Sequence, residues 1–218
     1  MRELNELLER EEPAWPLVQE WIREASNPVE VLPPADPDRS EALLAVQVTT
    51  RSPMGSVVYE TGGLLIDRGW IRVLGSGHPR LPRSLPRWNE GRTSRKNGEQ
   101  LGFLLVADDV LGGFFALNGG GFEGEMGQVW YAAPDTLKWE NLEVTYSEFL
   151  YWCFTGDLAQ FYGHLRWPGW EEVIGRLPGD QGVGIYPPLP TEGPSIADRH
   201  RGLVSLEEMY RLHVDADA

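Results

Sequence analysis

Residues 102–133, GFLLVADDVLGGFFALNGGGFEGEMGQVWYAA, decide the fold. Residues 102–108 are continuously apolar up to Ala107, as expected for a strand buried on both faces. Residues 112–118 repeat that character after a tight connection at Asp108–Asp109. Residues 127–133 set Val129 and Tyr131 against Gln128 and Trp130, the two-residue period of a strand. Short connections between such runs make hairpins, so this sheet is expected to be antiparallel. The glycines from 119 to 124 match G-x-G-x-x-G, but a dinucleotide fingerprint needs a helix behind its last glycine to hold the pyrophosphate. Here a strand follows, Glu123 and Glu125 would repel a phosphate, and no G-K-[ST] step exists. The cluster therefore reads as a hairpin loop in which Asn118 and glycines supply positive φ. Its two carboxylates form either a rim for a basic partner or a solvated turn.

Outward from this core, Trp15, Val18, Trp21 and Ile22 recur at helical spacing, and the Asn27–Pro28 step ends that run. Residues 1–28 thus form an N-terminal helical segment. Residues 29–40 read as a proline-rich connector, after which Ser40 is placed to cap a helix through 41–47. Ser52 and Pro53 open another helix, closed by Gly62 or Gly63. Residues 64–77 read as a strand pair or a strand with a break, ending in glycines at 75 and 77. Ser147 is placed to cap a helix over 147–154, further short helices follow, 181–190 is extended, and Ser205 with Glu208 marks a last capped helix. Helices, then an antiparallel meander, then helices make an α+β layout in a single domain over 1–218.

The net charge is −14, from 19 basic and 33 acidic residues. That balance argues against nucleic acid or an anionic membrane as partner and suits a basic protein. The charge is uneven: between Arg68 and Lys96 stand eight basic residues and one acid, Glu90, leaving −21 for the rest. Residues 78–98 read as a long Arg- and Pro-rich loop. His78, Arg80, Arg83, Arg87, Trp88 and Asn89, with Glu123 and Glu125 opposite, are the candidate partner- or ligand-binding residues, since guanidinium forks suit carboxylates and phosphates. The other reading pairs these arginines with the protein's own acids, such as Glu123 and Glu125. No histidine pair has ligand spacing, no G-x-S-x-G elbow occurs, and the single cysteine, Cys153, lies among aromatics as a buried apolar residue. No catalytic residue, metal or cofactor is expected. The N-terminus lacks a signal-peptide pattern and no run approaches a membrane span, so a cytoplasmic location is expected. The oligomeric state stays open.

The segments ETGGLLIDRGWIRVLGSG, LPRWN, GGFFALNGG, GQVWYAAPDTLKWENLEVTYSEFLYW and LVSLEEMYRLH together resemble an uncharacterised bacterial family of DUF2625 type, from about Leu4 to His213. Gly62–Gly63, Phe115, the 129–135 strand and Phe149–Leu150 are also similar in order to the Smi1/Knr4-like (SUKH) superfamily. That resemblance implies a non-enzymatic protein-binding module, immunity-like in several members. The alternative is a small-molecule-binding protein or enzyme with a cleft between the arginine loop and the glycine hairpin.

Overall fold

A computed structural model describes residues 1–93 and 102–214. Arg95 and Lys96, with the rest of 94–98 from the arginine loop, lie outside the described residues. The chain opens with helices α1 (Leu4–Leu7) and α2 (Trp15–Glu24), strand β1 (Val29–Leu32), and helices α3 (Asp38–Val46) and α4 (Pro53–Glu60). It continues through β2 (Gly63–Ile66), β3 (Ile71–Leu74), α5 (Leu85–Asn89), β4 (Phe103–Asp109), β5 (Phe114–Asn118), β6 (Gln128–Ala133) and β7 (Lys138–Thr145). Helices α6 (Tyr146–Thr155), α7 (Leu158–Tyr162) and α8 (Trp170–Ile174), strands β8 (Gln181–Tyr186) and β9 (His200–Ser205), and α9 (Leu206–His213) complete it.

Strands β1 to β7 form one antiparallel sheet in sequence order, and β8 and β9 pair as a separate ribbon. The meander expected around 102–133 is its centre. Phe114 and Phe115 are both fully buried because each faces a different helical layer. Phe115 meets Phe149 of α6 at 4.8 Å, whereas Phe114 meets Trp88 of α5 at 6.4 Å and Tyr210 of α9 at 5.3 Å. A sheet covered on both faces explains why its central strands are apolar without alternation. Ser52 caps α4 by accepting from the Gly55 amide, with Pro53 at the first helical position, and Ser205 accepts from Glu208 N at the start of α9.

Several local expectations are corrected. The 29–40 connector begins with edge strand β1, whose Glu30 and Val31 are exposed and so carry little apolar signal. Helix α3 starts at Asp38 with Pro37 in the capping place, so Ser40 lies inside the helix. Thr61, in extended conformation, ends α4. Gly62 serves close backbone packing instead, since a Cβ there would sit 2.7 Å from the Gly77 carbonyl oxygen. Thr145 caps α6 through a reciprocal box with Glu148, displacing Ser147. The described part of the 78–98 loop, residues 78–93, contains helix α5, capped by Ser84, and buries Leu81, Arg83, Ser84, Leu85, Trp88, Asn89 and Thr93. Among the described residues, no helix is long and apolar enough to cross a membrane.

Candidate functional site

The cross-strand register places Arg72 of β3 opposite Asp108 of β4. Both are buried, and Arg72 Nε donates to Asp108 Oδ1 at 2.7 Å. Arg83 reaches the other carboxylate oxygen, its Nη1 donating to Asp108 Oδ2 at 2.5 Å. One carboxylate thus holds two guanidiniums. Further donors reach the C-terminal half of the chain: Arg83 Nη2 donates to the Gly179 carbonyl at 2.8 Å, and Arg72 Nη1 to that of Gln181 at 2.6 Å, while Arg72 Nη2 donates to the Asp109 carbonyl at 3.2 Å. This cluster ties the 179–181 segment to the central sheet. Burial pulls the Arg72 guanidinium down from its ordinary range, opposed by the charge of Asp108.

Asp109, next in β4, faces a separate set of donors. Its Oδ1 accepts from the Leu111 and Gly113 amides at 2.8 and 3.0 Å, and its Oδ2 from Tyr131 Oη at 2.6 Å and Tyr162 Oη at 3.3 Å. Burial pushes this carboxyl up, while the tyrosine and amide donors pull it back. Burial, with the adjacent Asp109 charge, also pushes both phenols well above their usual range. The two aspartates that interrupt the apolar run are therefore the polar heart of the core, wholly shielded from solvent. Sequence reasoning treated them as a turn, although two adjacent acids in an apolar strand signal buried ionic partners.

The eight candidate residues do not form one site. His78 closes a turn: its backbone exchanges two hydrogen bonds with Leu81, and its Nδ1 accepts from the Arg80 amide at 3.1 Å. Arg80 is exposed and paired with Glu30 of β1. Arg83 belongs to the buried cluster. Trp88 is buried between the Arg83 and Arg92 guanidiniums, 4.7 and 4.0 Å from its ring. Asn89 replaces a missing strand neighbour. Strand β3 pairs with β4 only from Ala107 to Asp109, so Asn89 Oδ1 accepts from Leu105 N and its Nδ2 donates to Leu105 O, both at 2.8 Å. Glu123 and Glu125 are exposed and have no ion-pair partner among the described residues. Arg72, Arg80, Arg83 and Arg92 do pair with the protein's own acids, but with Asp108, Glu30 and Glu207.

Arg87 is exposed and set in a concavity. A cleft of about 570 Å³ runs between α3, α5 and the glycine hairpin. Arg87 and Glu90 line one wall, Asp38 and Glu41 of α3 another, and Asn118 and Gly119 a third. Asn118 shapes that third wall, because its Oδ1 accepts from Gly120 N at 2.8 Å and from Phe122 N at 3.2 Å. The glycine run is a hairpin loop entering β6, as expected, with no helix behind it.

The profile of a family described as "Protein of unknown function DUF2625" matches residues 4–209. The uncharacterized protein YbfG of Escherichia coli is 46% identical over 212 residues, covering 97% of this chain and 95% of that protein. An uncharacterized protein of Haemophilus influenzae is 41% identical over 215 residues, covering 98% and 94%. No solved structure gives a significant match. On a match spanning almost its whole length, and on two full-length relatives, the chain belongs to the DUF2625 family.

Proposed function

We propose that this protein is a non-enzymatic binding module that docks a basic protein through its acidic exterior. The observation that carries this reading is that four of the eight basic residues in the island are engaged by the protein's own acids. Arg72 and Arg83 are buried on Asp108, Arg92 is stacked on Trp88 and paired with Glu207, and Arg80 is neutralised by Glu30. These four arginines are taken up by the protein's own acids, and the chain as a whole carries −14. Glu20, Glu24, Glu123, Glu125, Glu171 and Glu172 stand exposed. An acidic face steers a basic partner and speeds its association. The immunity-like form of this reading, neutralisation of a basic toxin, follows the SUKH resemblance. The experiment is capture of a stoichiometric basic partner from the native cells, then titration with the purified pair at low and high salt. Weakening with salt, and further weakening in a Glu123→Lys/Glu125→Lys variant, is the expected result. Tight binding indifferent to salt would overturn it.

The cleft beside Arg87 favours a second reading, a small-molecule site. Arg87 is exposed, so Arg87→Ala leaves the fold intact and, on this reading, removes ligand-induced thermal stabilisation in a metabolite screen. A ligand shift unchanged by that substitution excludes this cleft.

A further inference from the structure

A second cavity, of about 420 Å³, lies between the 67–69 turn, the 79–82 turn and the segment after α8. Its charged lining is Arg68, Arg72, Arg80, Arg176 and a single acid, Asp180. Arg72 is committed to Asp108 beneath the floor, and Arg80 to Glu30 at the rim. Arg68 and Arg176 are exposed, and their side chains have no hydrogen-bond or ion-pair partner among the described residues. On a chain so rich in acids, two unpaired guanidiniums sharing one cavity call for an explanation.

Both are held by a rigid block. Asp67, Arg68 and Gly69 have φ of 49°, 63° and 92°, a left-handed run that L residues adopt only when the surroundings enforce it. The enforcement is visible: Arg166 Nη2 donates to Asp67 Oδ2 at 2.5 Å, and the Arg166 guanidinium lies over Trp70 and Trp170 at 4.8 and 4.3 Å. Trp170 opens α8, the helix that leads to Arg176, and meets Trp70 edge-on at 5.0 Å. The same aromatic pair therefore fixes both arginine-bearing segments.

We propose that this cavity binds the phosphate group of a small organic phosphate. Arg68 and Arg176 bind the dianion directly, and the buried Arg72, which shares the one Asp108 carboxylate with Arg83, adds positive field from below. Two guanidinium forks match a phosphate dianion better than a single carboxylate. Leu65, Ile174 and Leu177 supply apolar wall for the organic part, and the volume is that of a small-ligand site. This site is separate from the Arg87 cleft and independent of the protein-binding reading.

The test is calorimetric titration of the full chain with inorganic phosphate, phenyl phosphate and succinate, at ionic strength held constant with sodium chloride. The variants are Arg68→Asn, which tolerates positive φ, Arg176→Gln, their combination, and Asp180→Asn. Circular dichroism and thermal unfolding without ligand check that each variant is folded. The expected result is saturable binding of phosphate, tighter for phenyl phosphate. Each arginine variant weakens it about tenfold, the double variant abolishes it, and Asp180→Asn tightens it. Binding retained in the double variant, succinate bound as tightly as phosphate, or no saturation by roughly 10 mM overturns the proposal.

Discussion

Replacing Asp108 by Asn keeps the shape of the side chain and removes its charge. The carboxylate is fully buried and accepts from Arg72 at 2.7 Å and Arg83 at 2.5 Å. The amide retains one acceptor oxygen and turns an N–H donor toward the other guanidinium. One buried cation then faces a donor, and the cluster loses a negative charge. Breaking a buried pair from one side costs about 3–5 kcal/mol. Here one acid serves two cations, so the upper part of that range, about 4–5 kcal/mol, is expected. That is about a third or more of the stability of a typical domain. For a chain of this length it lowers Tm by roughly 10–20 °C. Urea unfolding followed by tryptophan fluorescence is the assay, and Trp88, 4.7 Å from the Arg83 guanidinium, reports on the cluster itself. A loss below about 1 kcal/mol with an unchanged m-value would refute the reasoning, because it would mean that the pair is solvated. A cycle with Arg83→Met sharpens the test. The two changes couple by about 2 kcal/mol if Arg83 depends on this acid, and by nothing if it does not.

Asn89→Ala leaves the Leu105 amide and carbonyl buried without their partners, at about 2–5 kcal/mol. Amide exchange at Leu105 should accelerate with the loss of stability, and an unchanged rate would count against the strand-substitute role. Gly113→Ala places a Cβ 2.2 Å from Asp109 Oδ2 and 2.5 Å from Tyr131 Oη. It should cost about 3 kcal/mol in the same urea assay, and a neutral outcome would show that the Asp109 cage yields. Tyr131, Tyr146, Tyr162 and Cys153 are all pushed up by burial, so in the folded state they keep protons that the unfolded chain releases. Stability is then unaffected below the unfolded pKa values of about 9 for the thiol and 10 for the phenols, and falls above them, approaching about 5 kcal/mol per pH unit. Urea midpoints that stay level from pH 9 to 11 would contradict this. The buried Cys153 should also react with a thiol reagent only as fast as the chain unfolds, and faster labelling would show local opening.

The sequence by itself determined the elements whose signals are local. The apolar runs of β4 and β5, the alternation in β6, the Ser52–Pro53 start of α4 and the Ser205 cap of α9 each occupy a few adjacent residues, and each stands where the sequence places it. The exclusion of a phosphate loop at the glycine cluster was legible for the same reason, since it required only that a strand follow. Tertiary structure decided the rest. β1, β7 and β9 carry exposed or half-exposed residues at most positions, so their apolar period is weak, and their pairing depends on partners. The fate of each arginine was undecidable locally. Arg80, Arg83 and Arg87 recur at similar spacing, yet one pairs at the surface, one is buried on Asp108 and one faces a cleft. A charge carries no periodicity of its own, and its role is set by the desolvation and the counter-charge that distant segments bring to it. Asp108 and Asp109 make the same point, because as adjacent acids in sequence they read as a turn. Only the convergence of Arg72, Arg83, Tyr131 and Tyr162, drawn from four separate stretches of chain, makes them the centre of the core.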